Sequence, residues 1–180
     1  MSLPRFVCVQ CIRRLARLTA EAFEVPVPEI PAPWTAALDA YAAFTATQAQ
    51  RVLSSGSPLE PVQARLFSKA RDLGSRLRAV LRVRSSRRAG LVMRALYKVI
   101  GVDFRSTGGE FTVSKCFFSS RYSPAVCQLI SSLDAGLFTG LSGGITLEFR
   151  RRITGGFACC TGILSAGVPG ARILGAGVSA

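Results

Sequence analysis

The sequence predicts an α+β fold: about four N-terminal helices, then a small, mainly antiparallel sheet crossed by one helix. Three observations carry this. Apolar residues recur at helical spacing up to Ile100. After Gly101 the pattern changes to period-two alternation, over Glu110–Phe118 and again over Ile145–Ile153. Between those two stretches Ser123-Pro124 marks a helix start, because serine caps unpaired amides and proline fits the first turn. With 180 residues the chain is long enough for one domain with its own core. The expected division is a helical part over 1–100, a cysteine-bearing part over 101–165 and a flexible Gly/Ala-rich tail over 166–180.

Phe6–Phe23 reads as the first helix, with Ile12, Leu15, Leu18 and Ala22 inward and Arg13, Arg14 and Arg17 outward. It carries Cys8 and Cys11, a Cys-x-x-Cys without the preceding strand that a redox motif of the thioredoxin type needs. Val25–Pro33 is proline-rich and reads as an extended connector. Trp34–Leu53 is a second helix. Ser57-Pro58-Leu59-Glu60 has the form of a capping box and opens a third, whose stripe is Leu66, Leu73, Leu77, Val80 and Leu81. A fourth helix follows Ser85-Ser86, lined by Leu91, Val92, Ala95, Leu96, Val99 and Ile100 and stopped by Gly101. Val102–Ser106 is a short strand, and Thr107-Gly108-Gly109 turns it into the next.

The remaining stretch reads strand, helix, hairpin. Strict alternation over Glu110–Phe118 puts Phe111, Val113, Lys115 and Phe117 on one face. Thr112, Ser114, Cys116 and Phe118 fall on the other. Val126, Ile130, Leu133, Leu137 and Leu141 line the helix that Gly143-Gly144 ends, and Gly155-Gly156 turns the closing hairpin. Cys127 and Asp134 are seven residues apart, two helical turns, and so share a face. Cys116 ends the strand that leads into this helix. Cys159 and Cys160 point to opposite faces of the last strand, so only one can join them. The alternative is that these thiols simply pack as small hydrophobes.

The formal net charge is +13, and it is uneven: Arg51–Arg105 holds 13 basic residues against 3 acidic ones. Histidine is absent, which excludes Ser-His-Asp and Cys-His catalysis, histidine-ligated zinc and histidine-held haem. No apolar run of about 18 residues suggests a membrane span. Arg13, Arg14 and Arg17 interrupt Met1–Ala20, which therefore makes a poor signal peptide. Reduced thiols in a cytoplasmic protein are the expectation.

Cys116, the Pro124-x-x-Cys127 step, Leu133-Asp134, Gly155-Gly156 and Cys160 together resemble the L-2-amino-thiazoline-4-carboxylic acid hydrolase family, over roughly residues 90–164. The pattern departs at Thr161-Gly162, where the family carries an acidic residue and an aromatic one. The resemblance implies a small-molecule hydrolase that opens a C–N or C=N bond in a cysteine-derived ring. Its catalytic residues would be Cys127, Asp134 and Cys160. Cys127 lies in the first turn of its helix, where the dipole favours a thiolate nucleophile, and Asp134 would move protons. Arg151 and Tyr122 are the expected substrate-binding residues.

Two other classes stay open. Cys116, Cys127 and Cys160 could ligate an iron–sulfur cluster, or zinc with Asp134 as fourth ligand. The basic middle of the chain could contact nucleic acid or an anionic surface. Nucleic acid ranks below a small-molecule substrate, because no nucleic-acid motif is present and few aromatics interleave with the arginines.

Overall fold

The computed structural model of the chain describes residues 4–166. In chain order these form α1 (Arg5–Phe23), α2 (Trp34–Ser54), α3 (Glu60–Val80), α4 (Ser86–Val99), β1 (Val102–Thr107), β2 (Glu110–Cys116), α5 (Pro124–Ser142), β3 (Ile145–Arg151) and β4 (Cys160–Ala166). The four strands make one antiparallel sheet in the order β1-β2-β4-β3. The α+β fold, helices first and sheet second, is thus the observed one. The expected tail falls on residues outside those described, apart from Ala166, which ends β4.

The helix α5 is the centre of the molecule. Ser123 caps it, its Oγ accepting from the Val126 amide, and Gly143 closes it in a left-handed conformation. By length and composition it is the one described helix apolar enough to cross a membrane. Here it is a core helix, with Leu129, Phe138 and Leu141 fully buried and α3 packed along it. The two backbones nearly touch. A Cβ on Gly140 would meet the Arg71 carbonyl oxygen at 2.1 Å, and one on Gly136 would meet that of Phe67 at 2.1 Å. Only glycine permits so close an approach.

On the other side of α5 lies an aromatic layer contributed by the sheet. Phe104 stacks on Phe111, Phe111 meets Phe149 edge-on, and Phe104 meets Tyr97 from α4 edge-on. Hydroxyls pair inside the helical half. Tyr41 bonds Thr19 at 3.1 Å, and Tyr122 bonds Thr45. Trp34 Nε1 donates to the Val99 carbonyl at 2.9 Å and ties α2 to the end of α4.

Three local expectations are corrected. The capping box does not form: α3 starts at Glu60 with no side-chain cap, and Pro61 rather than Pro58 occupies its first turn. The amide of Ser57 is bound back to Ser55 Oγ instead. The stripe of α3 runs through Val62, Leu66, Ala70 and Gly74, while Val80 and Leu81 stand in solvent. The buried stripe of α4 is Ala89, Met93 and Tyr97, and Leu91 faces outward. In both helices small residues share the buried stripe with large ones, Ala70 and Gly74 beside Leu66 in α3 and Ala89 beside Met93 and Tyr97 in α4.

Candidate functional site

A bulge decides where Cys116 goes. In the β1–β2 ladder Val102 faces Cys116 and Phe104 faces Val113, so β2 spends three residues where β1 spends two. The extra residue flips the alternation. Phe111 and Val113 are buried, Ser114 and Lys115 are both exposed, and Cys116 returns to the inner face. Cys116 is therefore on the side of Phe111, contrary to the strict alternation of the sequence. Across the next ladder Val113 faces Cys160, which places Cys160 on the same face. Of the doublet, Cys160 is the buried member and Cys159 is only partly covered.

Cys127 approaches from above the sheet, in the first turn of α5, its amide making the helix's opening bond to the Ser123 carbonyl at 2.9 Å. Its partner is Arg152. One guanidinium nitrogen lies 4.0 Å from Cys127 Sγ, and the other donates to Ser131 Oγ at 3.0 Å. The same guanidinium rests on the Phe149 ring, 4.2 Å from its centre. The Ile153 amide donates to Cys160 Sγ at 3.3 Å, so the 3-10 turn at Ile153–Gly155 sits over that thiol.

Asp134 lies two turns further along α5 and accepts a 2.6 Å hydrogen bond from Tyr97 Oη. Protein atoms crowd Asp134, which keeps only part of its surface in solvent. Burial pushes its carboxyl up to about 6, against the opposing pull of Tyr97 and Arg152. Burial pushes the Cys116 thiol up to about 12, with Asp134, Cys127 and Cys160 adding to the effect against a backbone hydrogen bond from Phe118. Cys160 is also raised, again chiefly by burial. The three thiols and the carboxylate are thus close enough to act on one another's charge.

The structure brings Cys116, Cys127, Cys160 and Asp134 around one interior region, and leaves two expected residues out. Tyr122 is buried against α2 with its hydroxyl on Thr45, where a substrate would find no donor. Arg151 is exposed beside the Phe157 ring and borders a recess of about 300 Å³ formed with Glu110, Thr112 and Thr161. A register shift between Phe149 and Arg151 in the β3–β4 ladder ends the alternation there and sends Arg152 inward instead. A larger groove of about 600 Å³ runs between α2 and α5 past Gln50, Arg51 and Arg121. Neither recess includes the thiols or Asp134. Cys8 and Cys11 lie on α1, which packs on the other helices.

Sequence reading offered the triplet Arg150–Arg152 as a carboxylate clamp and settled on Arg151 rather than Arg152, and it missed Ser131 and Tyr97. A tyrosine on the apolar stripe of α4 and a lone acid inside an apolar helix each lack a partner within their own element, and that shared lack was the available signal.

Among the described residues no three side chains of the ligating types are gathered closely enough to hold an ion. The sulfur of Cys127 faces a guanidinium, and that of Cys160 accepts from an amide.

Comparison of the chain with protein-family models, curated proteins and solved structures finds no match.

Proposed function

We propose that this chain is a small-molecule hydrolase acting on a carbon–nitrogen bond, with Cys127 as nucleophile, Asp134 as proton donor and acceptor, and Arg152 as the anion-holding residue. One observation carries the reading: Arg152 bridges Cys127 Sγ and Ser131 Oγ on the face of α5 that also presents Asp134. A nucleophile, a fixed cation and a carboxyl that titrates near neutrality are thereby set in a row. Seven residues of helix rise about 10 Å, so sulfur and carboxyl stand two turns apart on one face.

The chemistry balances with these groups alone. The Cys127 thiolate adds to an amidine-like carbon, and the ring nitrogen takes the proton from Asp134. The carbon–nitrogen bond breaks with its electron pair on nitrogen. Water then displaces the sulfur and returns a proton to Asp134. Arg152 would hold a substrate carboxylate and the developing negative charge. Tyr97 keeps Asp134 oriented through its hydrogen bond. Cys116, with its thiol pushed up to about 12, packs as a neutral side chain and takes no part. Cys160, also raised, is held by the Ile153 amide and serves to seat the turn over the site.

The test is release of a free amine from 2-amino-thiazoline-4-carboxylate and related carboxylate-bearing rings by the reduced protein. Turnover that vanishes in Cys127→Ser, with an unchanged circular dichroism spectrum, supports the assignment. Full turnover in that variant would falsify it.

A further inference from the structure

We propose that the corner where α3 turns into α4 docks on an anionic lipid bilayer, with Val80, Leu81 and Leu91 entering the acyl boundary and the arginines around them meeting the headgroups. This goes beyond the thiol site and uses none of its residues.

Residues 73–102 carry eight basic side chains and no acidic one. The ion pairs among the described residues join Arg65 to Glu24, Lys69 to Glu21 and Arg121 to Asp39, so the charge of this segment is not neutralised within the fold. Into it are set Val80, Leu81 and Leu91, exposed by 78%, 44% and 59%. Their neighbours Arg76, Arg82, Arg84, Arg87 and Arg88 are all exposed.

The corner is built rather than frayed. Leu81 ends α3, and Arg82 takes the left-handed region at φ 49°. Val83 returns to the core, and Arg78 Nε donates to its carbonyl at 3.3 Å. Ser85 then caps α4. Val80 and Leu81 are therefore held out at a fixed place, and Leu91 faces outward from the helix that the turn begins.

Two local rules are broken here together. Large aliphatics stand in water, and Arg87 and Arg88 occupy the first turn of α4, the positive end of the helix dipole, with no acid beside them. A fold gains nothing from either, and coincident violations of that kind mark functional surface.

A bilayer fits this surface better than nucleic acid does. Surfaces that grip single strands interleave aromatics for base stacking. From Arg76 to Leu91 there is no aromatic residue at all. Aliphatic side chains ringed by arginine are what an interfacial membrane contact uses: the charge draws the protein to anionic headgroups, and the apolar tips anchor it.

The experiment is flotation of the full reduced chain with vesicles of phosphatidylcholine alone or mixed with phosphatidylglycerol. Binding is expected on the mixed vesicles only and should weaken as salt rises. Partitioning should fall by about tenfold or more in Val80→Ser/Leu81→Ser/Leu91→Ser, and likewise in Arg76→Glu/Arg84→Glu/Arg87→Glu. Melting curves establish that the variants are folded, and the lipid and salt dependence of the native chain needs no variant. Absence of vesicle binding overturns the proposal. So does binding that ignores the serine substitutions. Preferential capture by single- or double-stranded nucleic acid in competition with the vesicles would assign the corner to that partner instead.

Discussion

Tyr97 Oη donates a 2.6 Å hydrogen bond to Asp134 Oδ1, and this is the polar link between α4 and α5. The bond joins the buried stripe of one helix to the only acidic residue of the other. Without it the carboxylate would lose its hydroxyl donor in a crowded interior. Tyr97→Phe keeps the ring packed on Phe104 and removes only the donor. It is expected to cost about 1–3 kcal/mol at neutral pH, the range for stranding a buried acceptor. It should also raise the Asp134 carboxyl further, since the bond pulls it down. Urea midpoints, with a titration of Asp134 by isotope-edited NMR, check both.

The same carboxyl makes stability depend on pH in an unusual direction. Its folded value is about 6 against 3.8 for the free side chain. Between those values the folded chain holds a proton that the unfolded chain has released. Stability is therefore complete below about pH 4 and falls as pH rises through 6. The loss is about 1–3 kcal/mol, reduced from the full linkage value because the group keeps some solvent access. Asp134→Asn should abolish this slope. The difference in melting temperature between variant and native protein, followed from pH 4 to 7, isolates the Asp134 contribution from that of surface carboxylates such as Glu21.

Thiol chemistry should rank the three interior cysteines. Cys116 is pushed up to about 12 and Cys160 is raised, both chiefly by burial, while Cys127 faces Arg152 in the first turn of α5. Among these three, Cys127 is expected to alkylate first with iodoacetamide near neutral pH, and Arg152→Met to slow it by about tenfold or more. Peptide mass mapping over time reads the order. Labelling of Cys116 ahead of Cys127 would contradict the arrangement.

How much of this was legible in the sequence depends on which interactions are local. Helix periodicity and capping at Ser85 and Ser123 are local, and the five helices and the strand–helix–hairpin order follow from them. The convergence of Cys127 and Asp134 followed from helical spacing alone. The face of Cys116 did not, because a bulge arises from pairing with a second strand and leaves no mark on the bulged residues. The exchange of Arg151 for Arg152 has the same origin at the end of β3. In α4 the large aliphatic Leu91, expected inward, faces solvent. Ala89 and Gly90 are buried together with Met93 and Tyr97, and β1 lies so close that a Cβ on Gly90 would fall 2.2 Å from Ser106 Oγ.

The crossing of α3 and α5 supplies a test in which a usual sign reverses. Gly→Ala inside a helix ordinarily stabilises by about 0.5–1 kcal/mol. At Gly140 the added Cβ would fall 2.1 Å from the Arg71 carbonyl oxygen and 2.7 Å from the Ser75 amide. Both are backbone, so neither can turn aside. Gly140→Ala is expected to destabilise by about 1–3 kcal/mol or more through overpacking. A urea melt in which this variant equals or exceeds the native protein would mean that the two backbones are not in contact.

At the first turn of α4 charge and helix dipole oppose each other. Ser86, Arg87 and Arg88 open the helix, the unpaired amides there carry partial positive charge, and no acidic residue offsets them. Arg87 is exposed and in no ion pair among the described residues, so its replacement removes no packing. Arg87→Glu turns a repulsive end charge into an attractive one and should stabilise the chain by about 0.5–1 kcal/mol. In a chain of this size that raises the melting temperature by a few degrees, about 2–4 °C per kcal/mol. The gain should shrink as salt is added, because an exposed charge is screened. Calorimetry at low and high ionic strength measures it. If Arg87→Glu melts higher yet loses its hold on anionic vesicles, the arginine is kept for the surface it meets and not for the helix it begins. If the variant melts lower, Arg87 has a partner within the fold, and the basic first turn stops counting toward a docking surface.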